Sequence, residues 1–200
     1  MSDRIQSTLG PDGLVAKQLD GYEHRREQVA MAEAVEAAFA ADRHLVVEAG
    51  TGVGKSYAYL VPAIDRAVRY HQRVVVSTGT ISLQEQLIEK DLPTLAEALG
   101  EDLRAVLVKG RSNYLCLRRL ERAASRASRL FGSDYLQGEL QRIVSWAMKT
   151  RDGSLSDLAP PPPWQIWQRV CSEHGNCRGR RCAHERRCFY QRARRRMQDA

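Results

Sequence analysis

The segment HLVVEAGTGVGKSYAYLVPAI, residues 44–64, restricts the fold of this 200-residue chain more than any other stretch. A short apolar, β-branched run stops at a turn with glycines at 50, 52 and 54, and a helix-prone apolar stretch follows at once. Such a run reads as a strand buried in a parallel sheet. Glycines in the turn after it let backbone N–H groups point inward around an anion, and the next helix adds the positive end of its dipole. On this reading Ala49, Gly50, Thr51, Gly52, Val53 and Gly54 cradle the phosphates of a nucleotide. Lys55 reaches the terminal phosphates, and Ser56 offers its hydroxyl to Mg²⁺. Ala49 stands where the general pattern has glycine, and its methyl group is small enough for the turn. A chance glycine-rich turn would explain Gly-Lys-Ser alone, but not the strand before it and the helix after it.

The order of elements repeats on both sides. RREQVAMAEAVEAAFA (25–40) has helical spacing, RVVVST (73–78) reads as a strand, and SLQEQLIEKDL (82–92) reads as a helix closed by Pro93. RAVLVKG (104–110) reads as a third strand. Strands alternating with helices predict a parallel sheet covered on both faces, so residues 21–110 are expected to begin an open α/β domain behind an extended lead-in, 1–20. After Gly110 the chain becomes basic and helix-prone through residue 150, and PPPP (160–163) reads as a stiff connector. Upstream, Gln28 begins the helix before the loop, and its amide can both donate to and accept from an adenine edge.

No stretch approaches the ~18 consecutive apolar residues of a membrane span, and MSDRIQSTLG lacks the pattern of a secretory signal. The expected location is the cytoplasm, without a membrane partner. There, disulfides seldom persist, and clustered cysteines point to metal or redox chemistry. Net charge is +7, from 31 basic and 24 acidic residues. Between Arg178 and Arg196 nine arginines accompany a single acid, Glu185, with Phe189 and Tyr190 among them. A charge run is commonly a solvated face. Arginine forks also match phosphates and rings stack on bases, so a polyanion contact is expected here.

Four of the five cysteines lie in CSEHGNCRGRRCAHERRC, 171–188, and the fifth is Cys116. The four could form a zinc site by themselves. Their gaps of five, four and five residues contain no tight pair of the kind zinc knuckles use, which favours an iron–sulfur cluster. Both readings remain open on spacing alone, as do His174 and His184 as ligands.

YEHRREQ, EAGTGVGKS, VVVSTGTISLQEQL and KGRSNYLC, in this order, resemble the DinG/XPD group of superfamily 2 DNA helicases, and its DinG/YoaA branch in particular. The resemblance implies an α/β fold: the first half of a parallel-sheet, P-loop (RecA-like) motor domain over 21–110, and a mainly helical insertion over 111–200 that holds a 4Fe-4S cluster. It assigns Cys116, Cys177, Cys182 and Cys188 as the cluster ligands and leaves Cys171 spare. It implies that Arg25 and Gln28 read adenine, and that Ser77, Thr78 and Gly79 touch the backbone of single-stranded DNA. ATP with Mg²⁺ and forked or damaged DNA follow as expected ligands, and 5′-to-3′ unwinding as the expected activity. No Asp-Glu pair occurs in these residues, so the acids that activate water are expected beyond Ala200, in the remainder of a larger helicase. The alternatives are a nucleotide-operated regulator, or a zinc-bearing nucleic-acid module on an α/β domain.

Overall fold

A computed structural model describes residues 2–198 and 200, which divide into two compact units, 1–105 and 106–200. In the first unit the helices are α1 (Ser2–Leu9), α2 (Leu14–Gln18), α3 (Arg26–Ala40), α4 (Lys55–Arg69), α5 (Ile81–Gln86) and α6 (Leu92–Leu99). A π-helical turn, Leu87–Asp91, joins the last two. The second unit contains α7 (Leu117–Ala124), α8 (Ala127–Leu130), α9 (Asp134–Ala147), α10 (Trp164–Val170) and α11 (Phe189–Gln198).

Helix α3 packs on α4, and α1 packs on both. Their shared core holds Ile5, Leu9, Val15, Val29, Ala32, Leu60, Ile64, Leu87 and Leu95. The lead-in is therefore not extended. Ile5 and Leu9 fall one helical turn apart, so α1 presents both to the core and is fixed there by burial. Pro93 does not close a helix either: it sits in the first turn of α6, which follows the π-helical turn without a break.

The expected parallel sheet is not formed among the described residues. Residues 44–49, 73–78 and 104–110 contain no strand, and Val46 and Val75 are 96% and 81% exposed. The apolar pattern suited a strand covered on both faces, but a strand exists only against partner backbone, and here the unit closes on helix-to-helix contacts.

The second unit is organised around Tyr114–Cys116. Leu115 N donates to the Gly153 carbonyl and Cys116 N to the Val170 carbonyl, both at 2.8 Å, and Ser172 N donates to the Tyr114 carbonyl at 2.7 Å. These bonds accompany the isolated antiparallel bridges Tyr114 to Ser154 and Leu115 to Cys171. Trp167, Ile166, Leu140, Ile143 and Phe189 fill the core beside them. Trp167 is 1% exposed and donates from Nε1 to the Ser112 carbonyl at 2.9 Å, so truncating it would cost about 3–5 kcal/mol.

Candidate nucleotide and cysteine sites

Gly52 and Gly54 have φ of 80° and 77°, in the left-handed region that lets the loop fold back over the start of α4. Gly54 caps that helix and Lys55 is its first residue. The Lys55 ammonium donates to the carbonyls of Ala49 (2.9 Å) and Gly50, so the loop is curled around its own lysine. Gly50, Thr51 and Gly52 are exposed, while Val53 through Ser56 are half-buried.

Gln28 is 3% exposed and supports the loop from α3: its Nε2 donates to the Gly54 carbonyl at 2.9 Å, while the Tyr22 hydroxyl donates to its Oε1 at 3.0 Å. Both ends of the amide that sequence reasoning assigned to a base are thus engaged with protein. Arg25 caps α3 and pairs with Glu23 at 2.8 Å. Asp91 is 3% exposed, and its Oδ2 accepts from Gln86 Nε2 at 3.2 Å. Burial raises the Asp91 carboxyl, against hydrogen bonds from Gln86 and Ser56 and the charge of Lys90.

Ser77 and Gly79 are exposed and Thr78 is half-buried, immediately before α5. Thr78 donates from its hydroxyl to the Thr80 carbonyl at 3.0 Å, and Thr80 caps α5 by accepting from Leu83 N at 3.3 Å.

In the second unit a specific packing contact brings distant cysteines together. Gly153 has φ 66°, and a Cβ there would lie 2.2 Å from the Phe189 ring. Phe189 seats on this glycine, and the same glycine's carbonyl binds Leu115, so Cys188 and Cys116 are drawn to one place. The Cys188 thiol is pushed up by burial, against backbone N–H groups of Gln191 and Tyr190, and further up by the neighbouring Cys116 and Cys177. Cys177 is exposed, and its thiol is held below the usual range. Its partial burial is outweighed by the Gly179 N–H at 3.5 Å, a hydrogen bond to Arg111 and the charges of Arg111 and Arg118. Arg111 in turn lies 4.2 Å from the Tyr190 ring centroid.

Cys182 is half-buried, its N–H bonded to the Gly179 carbonyl at 3.1 Å. Cys171 is 6% exposed, and burial raises its thiol. His184 lies 3.0 Å from a Glu121 carboxylate oxygen, and His174 is exposed. Among the described residues no three His, Cys, Asp or Glu side chains gather tightly enough to hold a single metal ion. Zinc in a four-cysteine site requires sulfurs at about 2.3 Å from one centre.

Sequence reasoning placed the basic surface at 178–196 and missed a second one. Arg118, Arg122, Arg126 and Arg169 line an open cleft with Asn176. Arg118 and Arg122 lie one turn apart on α7, and Arg126 follows at the N-cap of α8. Arg119, beside them, is structural: it donates to the carbonyls of Gln168, Arg169 and Cys171 at the end of α10 (2.7, 3.1 and 2.9 Å) and pairs with Glu173 at 3.0 Å. Arg122 and Arg126 are exposed, at the open side of the cleft. No helix of the described residues is long and apolar enough to cross a membrane.

Comparison with known proteins finds helicases. The chain is 42% identical to the ATP-dependent DNA helicase YoaA of Escherichia coli, over 96% of its own length and 29% of that protein. It is 39% identical to the ATP-dependent helicase DinG of Mycobacterium tuberculosis, over 97% of its length and 32% of that protein. It is 30% identical to the 3'-5' exonuclease DinG of Bacillus subtilis, over 92% of its length and 19% of that protein. The chain thus spans a third or less of each of these relatives. Residues 28–150 match the family model of the DEAD/DEAH box helicases, which implies a RecA-like P-loop fold. The chain belongs to the DEAD/DEAH box helicase family.

Proposed function

We propose that the chain is the ATP-binding, N-terminal part of a larger DNA helicase and that it carries a 4Fe-4S cluster in its second unit. The observation that carries the nucleotide reading is the loop: two left-handed glycines, a lysine at the first position of α4 and a half-buried serine beside it. ATP would sit over residues 49–56, its phosphates on the loop N–H groups, with Lys55 turning from the Ala49 and Gly50 carbonyls to the terminal phosphates. Ser56 would ligate Mg²⁺. Arg25 and Gln28 would flank the base.

Cys116, Cys177, Cys182 and Cys188 would hold the cluster, which supplies a covalent cross-link among distant chain segments. Arg111 and Arg118 offset the negative charge of thiolates there. Single-stranded DNA would follow Ser77, Thr78 and Gly79, where a glycine and small hydroxyls let a phosphodiester approach closely. The arginine cleft supports a further polyanion contact on the second unit. Forked or damaged DNA in the cytoplasm is the proposed substrate, and 5′-to-3′ unwinding the proposed activity of the whole protein.

Calorimetric titration with ATP and Mg²⁺ tests the reading. Lys55→Ala is expected to bind at least about tenfold more weakly, because a charge-assisted hydrogen bond contributes about 1.5–3 kcal/mol. Equal binding by both proteins would refute it.

A further inference from the structure

Helix α10 carries two tryptophans with opposite fates. Trp167 is 1% exposed in the core of the second unit, whereas Trp164, the first residue of the helix, is 65% exposed. Among the described residues Trp164 has no aromatic partner and no arginine over its ring. Its backbone is nonetheless held firmly. Ile166, Trp167 and Val170 are buried and anchor the helix, and the proline run before it has fixed φ angles. Arg142 Nη2 donates to the Pro160 carbonyl at 2.9 Å and ties that run to α9. The solvent side of α10 is left with Trp164, Gln165, Gln168 and Arg169. Arg169 is also a wall of the arginine cleft, so one short helix presents an indole and a cationic cleft on the same exposed side. At a rise of about 1.5 Å per residue, the two residues stand about 7.5 Å apart along the axis.

We propose that Trp164 is a stacking platform for an unpaired base of a single nucleic-acid strand whose phosphates lie in the arginine cleft. The inference rests on the reading of that cleft as a polyanion contact. Guanidinium forks match phosphate oxygens, and among the described residues no acid lines the cleft to compete for them. Charge alone would hold a duplex, a single strand or an acidic peptide. The indole selects among these, because a base in a duplex has both faces covered by its neighbours, and an acidic peptide offers no flat ring. Every unpaired base has a free π-face, so the contact is one to single strands and tolerates any sequence. A rigid helix start suits the task, since little side-chain and backbone freedom remains to be lost when a base docks.

The test compares strands with and without bases. Fluorescence anisotropy measures binding of a labelled oligodeoxythymidylate and of a labelled abasic strand of the same length and charge. Trp164→Ala is expected to weaken binding of the base-bearing strand about tenfold, within the range for losing one stacked base. Binding of the abasic strand should stay unchanged, as should the slope of log K against log salt, because no charge is removed. Trp164→Phe, which keeps a ring, should retain most of the affinity. Arg169→Ala should weaken both strands alike and make the slope shallower by about 0.7. Should Trp164→Ala not fold, Trp164→Leu, apolar but without a π-face, carries the same test. Equal loss for both strands, or no loss for either, overturns the stacking site and leaves the polyanion reading intact. Polyglutamate bound as tightly as the base-bearing strand, with the same loss in Trp164→Ala, would assign the surface to an acidic protein instead. Failure of the unmodified chain to bind either strand at low salt overturns both readings.

Discussion

The Gln28 side chain donates from Nε2 to the Gly54 carbonyl at 2.9 Å and thereby ties α3 to the last residue of the phosphate loop. The contact is close enough to exclude any side chain at position 54, since a Cβ there would lie 2.0 Å from Nε2 at a φ of +77°.

Gly54→Ala is therefore expected to destabilise the first unit by about 1–3 kcal/mol through backbone strain, with the steric conflict added. Thermal unfolding should show it as a fall of about 2–4 °C per kcal/mol. Gln28→Leu leaves the Gly54 carbonyl without this partner and should cost about 1–3 kcal/mol if that carbonyl stays dry. An unchanged melting temperature in both variants would mean that the tie carries no weight.

The arginine cleft makes a prediction about salt. If Arg122 and Arg126 contact phosphates of single-stranded DNA, Arg122→Ala with Arg126→Ala should weaken binding of a labelled oligodeoxythymidylate. The slope of log K against log salt should become shallower by about 1.4, at about 0.7 per lost contact. Anisotropy titrations at several KCl concentrations measure this, and a parallel line would remove the cleft from the DNA path.

Thiol chemistry should distinguish two of the cysteines. With any bound metal removed and disulfides reduced, Cys177 carries more thiolate near neutral pH than an ordinary cysteine. Cys171 carries less and is buried. Limiting iodoacetamide should modify Cys177 well before Cys171, as read by peptide mass spectrometry. Raising the pH should narrow the difference, because Cys171 then ionises too. Equal rates near neutrality would contradict the electrostatic picture around Arg111.

What the sequence made legible was the chemistry encoded within a few consecutive residues. The loop at 49–56 is of this kind: its glycines, lysine and following helix are local, and the structure has them in that order. The helical character of 26–40 was equally plain from its spacing. The predicted strands failed because strand formation depends on a partner that composition cannot supply, and Val46 and Val75 stand exposed instead. Helix α1 was missed because Ile5 and Leu9 are only two apolar residues in a polar stretch, and burial decides their role.

Sites made by tertiary contact were harder to read. Asp91 follows a lysine in a helical run, yet it is 3% exposed at the end of a π-helical turn. The approach of Cys188 to Cys116 depends on Phe189 lying over Gly153, a contact that no spacing encodes. The cleft had one legible sign, the four-residue repeat of arginine in RRLERAASR, overshadowed by the denser run after Cys177.

The central claim, a nucleotide-binding motor unit joined to an iron–sulfur unit, meets its most direct test in metal content. Protein purified without oxygen should be brown, absorb broadly near ~400 nm and contain about four iron atoms per chain. Cys116→Ser should lose both the colour and the iron, and Cys171→Ser should keep them. Colourless protein with stoichiometric zinc, or iron lost in Cys171→Ser and retained in Cys116→Ser, would contradict the account.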